Sequence, residues 1–287
     1  MNNSTRQGAL LKLYLFRHGE TELNRAGIVQ GAGVDASLTP LGFRQAIGVG
    51  KSFVDRNSVV ATFKEWNIIC STMARTRETL LGFCLGAQEN ANANPDESAH
   101  EYLPDDISLP SELYSIPIIL DARLKEKAQG ARENKRNDIT QETAEAMELE
   151  LGNPPSAFFK ESDEEVAVRA LGVVEDEIRR ATQSHTSSST LMVTHGGVIR
   201  VLLRDIFKVG GGPGEERIRV FNSSISQINV HITKQQEDTH SDSAATTANR
   251  NMLIVGEEVF EWTATLVGPI GDTSYIPPHL VSERSDW

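Results

Sequence analysis

Residues 11–20 read LKLYLFRHGE, an apolar run closed by Arg17, His18, Gly19 and Glu20. The stretch 11–16 has the length and character of a buried first strand. The charged cluster therefore sits at the carboxyl end of a strand, where α/β sheets open their binding crevices. Imidazole is a competent nucleophile toward phosphorus, and an adjacent guanidinium binds phosphate oxygens while favouring the neutral ring. Gly19 lets a backbone amide approach an oxyanion closely. Taken alone, Arg-His-Gly fits a structural strand-end histidine better, so the rest of the chain decides.

Working outward, short β-rich runs alternate with longer amphipathic ones. Thr39-Pro40 supplies an N-cap and a first-turn proline for a helix to about residue 54. WNIIC at 66–70 predicts the next strand and 74–85 the helix after it. A third strand is expected at 116–120, with Pro117 pointing to an edge or a strand start. Ser162 and Glu165 form a capping-box pattern opening a helix to about residue 182. TLMVT at 190–194 is a continuous apolar strand with a helix behind it at 198–207, and the runs 225–232 and 252–267 alternate as late strands. This order predicts an α/β sheet covered by helices on both faces. A single domain over 1–287 is expected, with polar surface insertions near 88–115, 184–189 and 234–251. Residues 210–214 read as a Gly-rich turn, and 277–287 as a tail that packs only through its apolar members or frays.

Composition narrows the classes of function. The 287 residues carry 28 Lys+Arg against 40 Asp+Glu, a formal net charge of -12, which disfavours nucleic acid or an anionic membrane surface as partner. With 39% hydrophobic, 24% charged and 6% aromatic residues, the chain is neither disordered throughout nor fibrous. Cys70 and Cys84 have no C-x-x-C spacing, so neither a zinc knuckle nor a disulfide framework is expected and a reducing compartment fits. The apolar run at 9–16 is broken by Lys12, falls far short of the ~20 residues of a membrane helix and lacks a small-residue cleavage site. It is read as a strand and the protein as cytoplasmic. Asn2, Asn3 and Asn222 stand in N-x-S/T patterns, which without a route to secretion are chance matches. No feature specifies an oligomeric state.

Two further clusters shift the balance toward chemistry. Thr194-His195-Gly196-Gly197 repeats the strand-end histidine, so its ring and the start of the next helix are expected to face the same crevice. Ser71-Thr72-Met73-Ala74-Arg75-Thr76 puts an arginine just inside a helix after another strand. His18, His195, Arg75 and Arg17 would then bring phosphate-binding groups together from separated parts of the chain.

The blocks RHGETELN (17–24), IVQGAGVDASLTPLGFRQA (28–46), CSTMARTRETL (70–80), DARLKEKAQG (121–130), ESDEEVAVR (161–169) and VTHGGVIR (193–200) follow one another in this order. Together they resemble the histidine phosphatase superfamily, the phosphoglycerate mutase-like fold, over most of residues 11–232. Segments 29–35 and 73–80 are most similar to its TIGAR-like, fructose-2,6-bisphosphatase branch. The resemblance implies a three-layer sandwich with a mostly parallel central sheet. It also implies a cofactor-free, metal-free phosphatase acting on a small phosphorylated metabolite.

Carried over residue by residue, the resemblance makes His18 the nucleophile that becomes a phosphohistidine, with Arg17, Arg75 and His195 neutralising the transferred phosphoryl group. Asn24 and Gln30 match positions that hydrogen-bond near the phosphate or substrate, and Gly31, Gly196 and Glu20 complete the candidate substrate contacts. Glu126 aligns with the proton donor, which the chemistry needs because a sugar alkoxide leaves poorly unless protonated. A carboxyl does this near neutral pH only where burial or a neighbouring negative charge favours its acid form. On local sequence alone, Glu126 between Lys125 and Lys127 reads equally well as a solvated acid. The acid-phosphatase branch places an aspartate after the second histidine, where this chain has Gly196. Glu20 is the fallback donor, more simply a hydrogen-bonding anchor for its loop.

Departures from the family pattern lie on the substrate-facing side. Gln129 precedes Gly130 where an aromatic is common, Asn134 follows Glu133 where a glycine is common, and Lys160 stands where a glycine often precedes the Glu-Ser pair. Lys125, Lys127, Arg132 and Lys135 read either as a second phosphate site or as a solvated face. A mutase using the same pocket and a non-catalytic module on the same fold remain alternatives. Gly50-Lys51-Ser52 lacks the first glycine of a P-loop and falls inside a helix, and no histidine pair has zincin spacing. Ser223 and Ser224 lack a nucleophile-elbow pattern.

Overall fold

The computed structural model describes residues 8–57, 66–88, 118–184, 188–210, 217–235, 251–281 and 285–286. Its first strand, β1 (Gly8–Arg17), lies inside a seven-stranded sheet. Leu11, Leu13 and Leu15 enter one core, while Tyr14 and Phe16 enter the other. Successive side chains of a strand face opposite sides, so a run apolar at nearly every step suits a strand covered on both.

After β1 come a short capped helix, α1 (Glu22–Ala26), then α2 (Pro40–Asn57), β2 (Trp66–Cys70), α3 (Ala74–Gln88) and β3 (Ile118–Leu120). They are followed by α4 (Gln141–Glu150), α5 (Asp163–Ser184), β4 (Ser188–Thr194) and α6 (Gly196–Val201). The last elements are β5 (Val220–Phe221), β6 (Ile225–Lys234), β7 (Asn251–Val255), β8 (Glu258–Asp272) and β9 (Ser285–Asp286).

The sheet order is β3-β2-β4-β1-β6-β8-β7. β3, β2, β4 and β1 pair in parallel, and β6, β8 and β7 continue the sheet antiparallel, so β8 again runs with β1. The sheet is mixed and mostly parallel in strand direction. α5 and α6 pack on one face with Leu13, Val174, Ile178 and Ile199, and α2 and α3 pack on the other with Phe16, Phe43, Phe53 and Phe83. α2 and α3 approach closely because of two glycines: a Cβ on Gly50 would lie 1.9 Å from the Phe83 carbonyl oxygen, and one on Gly86 1.9 Å from that of Ile47. Gly50-Lys51-Ser52 is thus helix packing.

Both expected caps form. The Thr39 hydroxyl accepts from Gly42 N at 2.9 Å, and Ser162 and Glu165 exchange bonds at 3.1 and 2.7 Å. Several expectations are corrected. The run 252–267 is two strands, because Gly256, at φ 63, turns the chain between β7 and β8. The helix expected at 198–207 starts at Gly196, directly after His195, and passes into a π-helical turn at Leu202–Ile206. Of the Ser/Thr tract at 184–189, Ser184 ends α5 and Ser188 and Ser189 pair in β4, while 185–187 lie outside the described residues. α1 and α4 have short or weakly amphipathic sequences that periodicity does not reveal. In the tail, Leu280 packs against the core on the α2 and α3 side and its carbonyl accepts from Gln45 Nε2 at 2.8 Å. Residues 89–117, 211–216 and 236–250, which hold most of two expected insertions, Pro117 and the Gly-rich turn beyond Gly210, lie outside the described residues.

Candidate active site

β1 and β4 are adjacent and parallel, with Arg17 paired to Thr194. Both strands therefore end at one level, and the next residue of each is a histidine. The His18 amide donates to the Thr194 carbonyl at 3.0 Å, and the rings of His18 and His195 lie 5.2 Å apart between centroids. β2, on the far side of β4, ends at the same level, because Ser71 N donates to the Val193 carbonyl at 2.9 Å. The helix that follows it delivers Arg75. Three strand ends thus converge at the point where the order of connection reverses across the sheet.

His18 Nδ1 lies 2.8 Å from the Gly19 carbonyl oxygen. A carbonyl only accepts, so Nδ1 carries the hydrogen and Nε2 keeps its lone pair. Burial, reinforced by the Arg75 and Arg17 guanidiniums, holds the ring's pKa well below 6.5 and keeps it neutral. His195 is shifted the same way, by burial first and then by Arg75, His18 and Arg17. Its Nε2 is 2.9 Å from Ser71 Oγ, while its Nδ1 is buried with no protein partner. When Ser71 donates to Nε2, Nδ1 carries the hydrogen and becomes a donor.

Arg75 is 0% exposed, and burial lowers its pKa from the usual arginine value. Its Nη1 donates to the Val34 carbonyl at 2.8 Å and lies 3.4 Å from Asp35 Oδ1, whereas Nε and Nη2 have no protein partner. Buried guanidinium nitrogens without acceptors are costly unless a ligand supplies them. Arg17 is also buried, with Nη1 donating to the Val220 carbonyl at 2.6 Å. A Cβ on Gly196 would lie 3.2 Å from Arg17 Nε, so this position has little room for a side chain.

Arg17 and His18 line a cavity of about 350 Å³ whose walls also include Asn24, Gln30 and Glu126. Arg75 and His195 are fully buried and do not line this cavity; the His195 ring lies beside that of His18, which does. Glu126 Oε1 accepts from Lys127 N at 2.8 Å and Oε2 from Gly197 N at 3.4 Å. The first turn of α6 thus faces the carboxylate of Glu126. The cavity wall thus holds a neutral imidazole and a carboxyl, and the neighbouring Arg75 and His195 keep buried nitrogens without protein partners. This arrangement suits the transfer of a tetrahedral anion.

Residues 13–101 and 109–243 match the histidine phosphatase superfamily, branch 1. The chain belongs to this superfamily. It is therefore an enzyme of the phosphatase class. Among histidine phosphatases, the probable phosphoglycerate mutase GpmB of Klebsiella pneumoniae subsp. pneumoniae is 28% identical over 224 residues, 76% of this chain and 85% of that protein. A broad-specificity phosphatase of Saccharomyces cerevisiae is 27% identical over 228 residues, 79% of this chain and 83% of that protein. The fructose-2,6-bisphosphatase TIGAR of Mus musculus is 41% identical, but over only 70 residues, 24% of this chain and 23% of that protein. The solved phosphoglycerate mutase of Bacillus anthracis shares the fold, with a TM-score of 0.55 at 18% identity over 94% of this chain and 96% of that one.

The structure of this histidine phosphatase sorts the remaining candidates. Asn24 lines the cavity, its Oδ1 taken by Thr21 N at 3.2 Å and Thr21 Oγ1 at 3.1 Å. Gln30 lines it too, donating to Thr21 Oγ1 at 2.8 Å and keeping Oε1 without a partner. Gly31 is not in the wall; its bare Cα admits Glu133, whose Oε1 would be 1.9 Å from a Cβ there. Glu20 also lies outside the wall, with Oε1 accepting from Thr39 Oγ1 at 3.1 Å, which fits the anchor reading. Lys127 and Arg132 line the cavity, Lys125 does not, and Lys135 is ion-paired with Glu148. Gln129 lines it as well, and Asn134 sits at φ 63, a conformation that asparagine tolerates in place of the family's glycine.

Residues that sequence reasoning missed act through contacts distant in the chain. Arg169 clamps Glu161 at 2.6 and 2.8 Å and donates to the Arg123 carbonyl at 2.5 Å, which braces the segment carrying Glu126. Arg204 and Arg217 also line the cavity, Arg204 being ion-paired with Asp163 at 2.8 Å and with Asp205. Among the described residues, no group of three or more His, Cys, Asp or Glu is arranged to hold a metal ion, and no helix is long and apolar enough to cross a membrane.

Proposed function

We propose that this chain hydrolyses a phosphomonoester of a small phosphorylated metabolite through a phosphohistidine at His18. One observation carries the reading: the His18 ring, with Nδ1 committed to Gly19, lines a cavity and lies beside His195, whose Nδ1, like Nε and Nη2 of the buried Arg75, has no protein partner. A phosphate would supply acceptors for these nitrogens. His18 Nε2 attacks phosphorus, forming the P–N bond as the ester P–O bond breaks, and protonated Glu126 gives its proton to the leaving alkoxide. Arg17, Arg75 and His195 stabilise the charge on the equatorial oxygens. Glu126, now a carboxylate, takes a proton from water as that water attacks phosphorus, the P–N bond breaks and inorganic phosphate leaves.

The cavity lining supports a substrate with a second anionic group, because Arg132 and Arg217 line it together with Lys127 and Arg204, which share Asp163 as an ion-pair partner. Fructose 2,6-bisphosphate is the first candidate, followed by bisphosphoglycerate or another sugar phosphate. Mutase transfer is a second reading, favoured by the match to a probable phosphoglycerate mutase over most of the chain. The test is phosphate release from a panel of these metabolites by the wild-type chain and His18→Ala. Release that His18→Ala abolishes supports hydrolysis, transfer to a second hydroxyl without release supports the mutase, and release unchanged in His18→Ala contradicts both.

A further inference from the structure

Asn222-Ser223-Ser224 stands in the sequence as a glycosylation-type pattern and as a serine pair without a nucleophile elbow. In the fold, these residues form the turn between β5 and β6, directly behind the nucleophile. Asn222 is 2% exposed, and its Nδ2 lies 3.2 Å from the His18 carbonyl oxygen, 3.2 Å from the Gly19 carbonyl oxygen and 3.1 Å from Asn24 Oδ1. Two of these are carbonyls and the third already accepts from the Thr21 amide, so only the NH₂ end of Asn222 fits there. The Gly19 oxygen that it reaches is the same atom that accepts from His18 Nδ1.

We propose that Asn222 is a positioning residue that fixes the Gly19 carbonyl, and through it the tautomer and aim of the His18 ring. The proposal rests on His18 being the nucleophile. The partner of one imidazole nitrogen decides which nitrogen holds the hydrogen, so a carbonyl held beside Nδ1 keeps Nε2 free to attack. Backbone bonds already secure the turn: Ser223 N donates to the His18 carbonyl and Arg17 N to the Ser224 carbonyl, both at 3.1 Å. Ser223 holds φ 55, a left-handed conformation rare for serine, in making the first. The Asn222 side chain adds to this only its bonds to the carbonyls around the nucleophile and to Asn24, an amide in the cavity wall. Its contribution is therefore to the geometry of the site.

Two measurements test this. Nitrogen-15 NMR of His18 in the wild-type chain reads the tautomer directly, with the hydrogen expected on Nδ1; a ring protonated on Nε2 alone overturns the proposal without any variant. Rapid-quench labelling with p-nitrophenyl phosphate, whose leaving group needs no acid, reads the nucleophile alone. Asn222→Ala should phosphorylate His18 about 100-fold more slowly, with a mixed tautomer signature and unchanged inhibition by inorganic phosphate. Asn222→Asp, which faces three acceptors with a carboxylate, should be at least as slow. Val230→Ala, a core truncation on β6, lowers stability without touching the site and should label at the wild-type rate. Wild-type labelling and tautomer in Asn222→Ala overturn the role of Asn222 and leave the proposed function standing, as does an equal slowing in Val230→Ala. A wild-type chain that turns over without labelling His18 overturns the reading beneath it.

Discussion

At His18, burial and two guanidiniums act in the same direction: each disfavours the imidazolium and so keeps the ring neutral, as the proposed attack on phosphorus requires. The residue was legible in the sequence because a histidine ending an apolar strand has a fixed place in a parallel sheet, and His195 was legible on the same ground. Asn222 and Thr21 were not, because their hydrogen bonds go largely to backbone carbonyls and to amide or hydroxyl groups that no local pattern marks. Glu126 occupies the middle case, since its neighbours Lys125 and Lys127 suggest solvent, yet the chain buries it against Gly197. Glu126→Gln should lower kcat/KM on alkyl phosphates by about 10²- to 10⁴-fold while leaving p-nitrophenyl phosphate near the wild-type rate. Steady-state kinetics on both substrates check this, and equal losses would remove Glu126 as the acid.

Among the elements, the parallel half of the sheet was read well from sequence, because each of its strands is a short apolar run bounded by helix-opening signals. The antiparallel half was read less well. β7 and β8 are covered fully on only one face, so their sequences alternate as one long strand would, and a single glycine marks the turn. Element packing also makes two glycines informative. A Cβ on Gly197 would lie 2.3 Å from Glu126 Oε1. Gly197→Ala should therefore displace the carboxyl and cut turnover of alkyl phosphates more than that of aryl phosphates, as paired kinetic assays would show. Gly50→Ala pushes α2 off the Phe83 carbonyl of α3 and should cost about 1–3 kcal/mol in urea unfolding, with kcat unchanged.

For the whole molecule, a net charge of -12 contrasts with a cavity lining in which lysine and arginine outnumber aspartate and glutamate. The buried rings also make stability depend on pH. His18 and His195 have folded pKa values well below 6.5, mainly through burial, so between pH 7 and those values the unfolded chain binds protons that the folded chain does not. Stability from this source falls as pH falls through 6.5, by at most about 1.4 kcal/mol per pH unit for each ring. Urea unfolding in phosphate-free buffer at pH 7.5 and 5.5 should show a larger loss for the wild-type chain than for His195→Gln. The central claim is tested most directly by mixing the protein with a phosphorylated substrate, quenching within milliseconds and mapping the covalent phosphate by mass spectrometry. An acid-labile phosphoryl group should appear on His18 in a burst and decay as inorganic phosphate is released; turnover with the label on another residue, or with none, would contradict a phosphohistidine at His18.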